Sequence, residues 1–174
     1  MMVTRSNAFG DAAPAPEWLR NLVGARIHYE EDLGWPVTIE VESHRVVIAT
    51  GGVLDAVVMP VGVAESVLVE LRIALQVGPV ITTPGVDWWT FLTAPVALRP
   101  KALPAELSAV RVRGLAAGTR VTLPSETGSP YWIEPPRRRH CLPPWPVVVG
   151  TTRRVVSRWG GHLACQQPPL DQAA

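Results

Sequence analysis

Apolar and polar positions follow two different periods along the chain, and these periods predict its helices and strands. Over residues 17–33, apolar side chains recur every three or four positions, which is typical of a helix with one buried face. A second stripe with the same spacing covers residues 63–74 and follows Pro60, a residue suited to a helix start. Gly34 and the pair Gly78-Pro79 stand where these two helices should end.

Short apolar runs between turn residues predict a set of strands. We expect strands at residues 38–41, 45–50, 53–59, 80–82, 88–93, 110–113, 119–123 and 131–133. Five prolines between residues 135 and 146 disfavour any further regular sheet pairing. The order of elements predicts an α+β domain with a mostly antiparallel sheet and helices packed on one side.

The composition is that of one folded domain with short additions. The 174 residues are 47% hydrophobic, enough to bury a core. We divide them into a flexible lead-in (1–16), an α+β domain (17–136) and an Arg/Pro-rich tail (137–174) that is partly disordered. No apolar run reaches the ~18 residues of a membrane helix, and residues 1–16 lack a secretory pattern. We therefore expect a cytoplasmic protein with no membrane partner.

Charge is unevenly distributed. Residues 1–134 carry 10 basic and 14 acidic side chains, whereas residues 135–174 carry six arginines and one acid. Such a basic arm on an acidic body attracts nucleic acid or an acidic protein, although a solvated tail has the same composition. The six arginines are Arg137, Arg138, Arg139, Arg153, Arg154 and Arg158. The histidines and cysteines near them match no common zinc spacing, and we expect no metal or other cofactor.

Several short motifs follow one another in a characteristic order. They are LGWPV (33–37), GGVLD (51–55), WWTFL (88–92), GTRVTLPS (118–125) and YW (131–132). In this order they resemble the primase-polymerase domain of actinobacterial bifunctional DNA primase/polymerases, which is related to the archaeo-eukaryotic primase core. The resemblance covers about residues 17–136 and implies a primase-polymerase-like core.

The resemblance implies two-metal nucleotidyl transfer, but most of the required side chains are replaced. The family places two acids two residues apart on a strand, where both carboxylates share a face and hold divalent ions. The matching positions here are Asp55 and the apolar Val57. A family histidine on the middle strand is absent from residues 87–91, where Trp89 stands, and residues 110–121 contain no acid. We interpret Asp55, Val57 and Trp89 as a vestigial site and expect no polymerase activity.

The remaining polar groups suggest anion binding rather than metal binding. Arg111, Arg113 and Arg120 should share one face of the late strands, where phosphates or acidic side chains could pair with them. Trp88 should point away from Trp89 and could stack on a base. Our hypothesis is a catalytically degenerate domain that binds nucleic acid, nucleotide or a replication partner. The alternative is a non-enzymatic protein-interaction or scaffold domain, including a homo-oligomer.

Overall fold

Two antiparallel sheets and four α-helices form the part of the chain that the computed structural model describes. This part comprises residues 15–96, 103–125, 130–138 and 141–165, with side chains of the last helix up to Trp159. The helices are α1 (Glu17–Ile27), α2 (Val61–Ile73), α3 (Ala105–Ala109) and α4 (Trp145–Cys165). The strands are β1 (Thr38–Glu40), β2 (Arg45–Ala49), β3 (Asp55–Pro60), β4 (Val80–Thr82), β5 (Trp88–Thr93), β6 (Arg113–Gly114), β7 (Arg120–Leu123) and β8 (Tyr131–Glu134).

The first two helices lie where the apolar stripes predict them. Helix α1 continues into a π-helical turn, His28–Asp32, and the chain then reverses at Gly34, which has φ +67°. Glycine is favoured at such a left-handed position because it has no Cβ. Helix α2 begins directly after Pro60 and buries Val63, Val67 and Leu71 along its inner face.

The strands assemble into a small and a large sheet, and all their pairings are antiparallel. The small sheet has the order β1-β2-β7, and the large one has the order β6-β3-β5-β4-β8. The expectation of an α+β fold with mostly antiparallel sheet is thereby confirmed. The presence of two separate sheets is a feature of the tertiary structure, since strand periodicity does not specify which strands pair.

Each face of the five-stranded sheet packs against its own hydrophobic core. Because side chains alternate along a strand, Val57 and Phe91 face one core while Ala56 and Leu92 face the other. The first core lies under α2, α3 and α4. The second core lies between the large sheet, the small sheet and α1. Three helices therefore lie on one side of the large sheet, as expected, whereas α1 lies with the small sheet on the other side.

Helix α4 differs from the Arg/Pro-rich tail expected from residue 137 onwards. Its residues Trp145, Val148 and Val155 are buried in the core under α2, so this helix belongs to the folded domain. Pro146 occupies its first turn, where a missing backbone N–H costs nothing. The prolines of this region thus precede a helix, whereas the sequence interpretation assigned this segment to a partly disordered tail. None of the described helices is long and apolar enough to span a bilayer.

The segment expected to be a strand over residues 110–113 is mostly a helix end. Helix α3 closes through hydrogen bonds from Arg111 N–H to Ser108 O and from Val112 N–H to Leu107 O. Arg111 has φ +63°, a conformation that glycine normally supplies at a helix C-terminus. Only Arg113 and Gly114 then pair with β3.

Candidate nucleic-acid interface

Asp55 is sealed inside the domain. It is 0% exposed, and its Oδ2 accepts a hydrogen bond of 2.9 Å from the backbone N–H of Val96. A buried carboxylate is retained when hydrogen bonds compensate for its lost hydration. This geometry is that of a structural carboxylate, although the sequence alone also allowed a remnant of a metal site.

The other two residues of the vestigial set are also core residues. Val57 is 0% exposed within the core under α2, and Trp89 packs against the same core. Within the described residues, no three His, Cys, Asp or Glu side chains are close enough together to hold a metal ion. A buried single acid beside an apolar valine does not fit the paired carboxylates that a two-metal site requires.

The three late arginines do not form one row. Arg113 lies on β6 in the five-stranded sheet, Arg120 lies on β7 in the three-stranded sheet, and Arg111 precedes β6 in a turn. The expectation of a shared face is therefore wrong, because it assumed that these strands pair with each other. Arg120 donates instead to Glu40 Oε1 at 2.8 Å, across the small sheet.

Most arginines of the C-terminal region are paired with acids of the domain. The ion pairs are Arg137 with Glu134, Arg138 with Asp32, Arg153 with Glu106 and Arg158 with Glu70. Arg154 donates to the hydroxyl of Thr151 at 2.9 Å, and Arg139 lies outside the described residues. These arginines are exposed, so their pairs contribute little stability, but each pair partly neutralises its arginine. The continuous basic arm suggested by composition is thus divided among separate ion pairs.

Trp88 and Arg113 form a platform on the five-stranded sheet. The Cζ atom of Arg113 lies 5.6 Å from the centroid of the Trp88 ring, within the range of a cation–π contact. Both residues reach this position through register, since β3 pairs with β5 on one side and with β6 on the other. No carboxylate among the described residues lies within ion-pairing distance of Arg113.

The platform occupies the open end of its sheet face. Trp88 shares a face with Thr90 and Leu92, and Leu92 is buried beneath the small sheet and α1. Thr90 and Val58, which pair with each other, are only partly buried, as is Trp88 itself. An accessible sheet face with an aromatic ring and an unpaired cation can stack a base and contact its phosphate.

A second concave region, which sequence reasoning missed, lies beside the π-helical turn. A cavity of about 390 Å³ is lined by His28, Tyr29, Ser125, Tyr131 and Trp132, among others. Single π-helical turns within helices occur frequently at functional sites because they redirect side chains. The sequence offered only a weak signal here, since the turn continues the apolar stripe of α1 without interruption.

Hydrogen bonds and ion pairs fix the walls of this cavity. The Tyr29 hydroxyl donates to Pro124 O at 2.5 Å and also bonds with Trp132, while burial raises the pKa of Tyr29 to about 12. Asp32 Oδ2 contacts His28 Nδ1 and accepts from Arg138 Nη2, each at 2.6 Å. The hydrogen bond with His28 is the main cause that lowers the pKa of Asp32. The turn is therefore tied to β8, to the loop after β7 and to Arg138.

Comparison with known proteins adds no relative. The chain matches no protein-family model, no curated protein and no solved structure. Functional inference therefore depends on the geometry of the described residues.

Proposed function

We propose that this protein is a catalytically degenerate primase-polymerase-like domain that binds single-stranded nucleic acid on its five-stranded sheet. The observation that carries the proposal is the Trp88–Arg113 pair at the open end of that sheet. Stacking on Trp88 would be tolerant of sequence, since every base has a π-face, and Arg113 would contact the phosphate backbone.

The burial of Asp55 supports the absence of polymerase chemistry. Its carboxylate is engaged with the Val96 N–H, and the residue two positions later is a buried valine. Single-stranded nucleic acid bound on the sheet would therefore contact an aromatic and cationic surface that lacks paired metal ligands. Binding without nucleotidyl transfer is the activity that this arrangement favours.

Fluorescence anisotropy with a labelled oligothymidine tests the proposal. We expect micromolar or tighter binding that weakens as salt increases, because phosphate contacts release counterions. Trp88→Ala should reduce affinity roughly 5- to 160-fold, as the loss of ~1–3 kcal/mol per stacked base implies. Trp88→Phe should retain most of the affinity, because phenylalanine keeps a stacking ring.

Matched controls separate the platform from general charge and general hydrophobicity. Arg113→Gln should weaken binding and reduce its salt dependence, whereas Arg120→Gln, on the other sheet, should have little effect. Trp159→Ala removes an exposed tryptophan from α4 and should leave binding unchanged. Equal losses for Arg113→Gln and Arg120→Gln, or no salt-sensitive binding at micromolar protein, would refute the proposal.

A second candidate function is self-association through the outer face of α2. Val69 and Ile73 of α2 are 53% and 74% exposed, and Leu75, just beyond its C-terminal end, is 83% exposed. Trp159 of α4, beside Val69, is 41% exposed. Exposed apolar patches of this kind mark interaction surfaces in soluble proteins. The patch also contains the Glu70–Arg158 ion pair, and a face carrying both charges can be complementary to a second copy across a two-fold axis.

A further inference from the structure

The cavity beside the π-helical turn lies at the same end of the large sheet as the Trp88–Arg113 platform. Tyr131 pairs with Thr82, and Thr82 pairs with Trp89, the neighbour of Trp88. Trp132 pairs with Ile81 and packs in the same core as Leu92, so it lies on the same sheet face as Trp88. The two sites therefore share both a sheet end and a sheet face.

The distance between the platform and the cavity suits a short stretch of single-stranded nucleic acid. Two inter-strand steps separate β5, which carries Trp88, from β8, and four steps separate β6 from β8. At about 4.8 Å per step, these separations are roughly 10 Å and 19 Å. A few nucleotides that cross the β-strands would span the distance from Arg113 to the cavity.

The chemistry of the cavity suits a planar, polar-edged ring. Its rings are those of Tyr29, Tyr131, Trp132 and His28, and its volume of about 390 Å³ is within the range of small-molecule sites. Asp32 Oδ2 is hydrogen-bonded to Nδ1 of His28, so Nε2 is the ring nitrogen that remains to form a hydrogen bond with a ligand. Trp132 is partly buried and lies on the sheet face of Trp88, so its ring can meet a base of the bound nucleic acid.

We infer that this cavity is a base-binding pocket that receives one unpaired nucleobase of the strand bound at Trp88 and Arg113. The inference rests on the proposed function and adds a position and a direction to it. The base is recognised by aromatic contact with Trp132 and by a hydrogen bond to His28. The bound nucleic acid then runs across the β-strands from β6 to β8, rather than parallel to one of them.

Oligonucleotides with 2-aminopurine at either terminus test the inference. We expect the fluorescence of one terminal 2-aminopurine to be quenched on binding, because its base enters an aromatic pocket. Trp132→Ala should abolish this quenching and weaken binding about fivefold or more, while Trp132→Phe should preserve both. His28→Ala should weaken binding, whereas His44→Ala removes an exposed histidine of the β1–β2 turn and should not.

The possible failures are distinguishable. If the oligonucleotide binds in a Trp88-dependent way but Trp132→Ala and His28→Ala bind and quench as the unmodified protein does, the base pocket is refuted and the proposed function stands. If the unmodified protein does not bind single-stranded nucleic acid, the base pocket and the proposed function are both refuted. Circular dichroism of each variant establishes that it is folded before binding is compared.

Discussion

At the scale of single residues, burial decides which chemistry each side chain can perform. Asp55 could bind a cation only if its oxygens were accessible, yet the residue is fully buried and accepts from a backbone N–H. Trp88 and Trp89 are neighbours with opposite surroundings: Trp89 packs on a core, and Trp88 lies beneath an arginine. Alternation along a strand is sufficient to separate a residue packed on a core from one that we propose as a binding residue.

Tyr29 should make stability sensitive to alkaline pH. Burial raises its pKa from 10.0 to about 12, so the folded state binds its proton more tightly than the unfolded state does. The resulting stabilisation is complete below the unfolded pKa and is lost as pH rises from 10 towards 12. Urea unfolding across this range should show a steeper loss for the native protein than for Tyr29→Phe.

The exposed Tyr131 provides the control for this experiment. Tyr131→Phe should retain the alkaline loss, because the responsible hydroxyl is the buried one of Tyr29. At neutral pH, Tyr29→Phe should be less stable by about 1 kcal/mol, since it lacks the hydrogen bond to Pro124 O. Identical alkaline profiles for the native protein and Tyr29→Phe would contradict the assignment.

At the scale of elements, helix α4 and the strand β6 depend on each other. The ring of Trp145, the first residue of α4, lies against the backbone of Gly114. A residue with a Cβ at position 114 would collide with this ring, so the approach of helix to strand depends on a glycine. Since Arg113 precedes Gly114 on β6, the same contact supports the platform.

Two glycine substitutions should have opposite effects on stability. In Gly114→Ala, the new Cβ would lie 2.5 Å from Trp145 Cη2, and we expect a loss of about 1–3 kcal/mol from overpacking. Gly150→Ala places a methyl group within α4 where no heavy atom other than those of the adjacent residues and the backbone of α4 itself lies within 4 Å. It should stabilise the protein by about 0.5–1 kcal/mol, because alanine favours helix. Urea denaturation measures both, and a neutral Gly114→Ala would show that the Trp145 ring can move.

At the scale of the whole molecule, the two proposed activities use different surfaces. The platform lies on the face of the large sheet that carries α1 and the small sheet, whereas the apolar patch lies on the outside of α2, beyond the opposite face. Self-association through α2 would thus leave the platform accessible. The two functions are compatible, and a dimer would present two binding platforms.

The outer face of α2 should control the oligomeric state. Light scattering after size exclusion is expected to give a dimer that becomes monomeric in Ile73→Glu, because a charge would be buried at the interface. Val41→Glu is the matched control, since Val41 is 56% exposed in the turn between β1 and β2. A monomer at every protein concentration would eliminate self-association as a function of this patch.

Much of the local structure was predictable from the sequence. The apolar stripes predicted α1 and α2, and the alternating runs predicted most strands, because these periods reflect burial of one face. The end of α1 was also predictable, since Gly34 is a residue that accepts a left-handed conformation. The α+β class followed from the order of these elements alone.

Only the tertiary structure decided what the predicted elements do together. Strand pairing placed Arg113 beside Trp88 and separated it from Arg120, and packing made α4 a core helix. Folding also buried Asp55 and formed a cavity at the π-helical turn. These outcomes depend on contacts between residues far apart in the chain, whereas periodicity records only the surroundings of neighbouring residues.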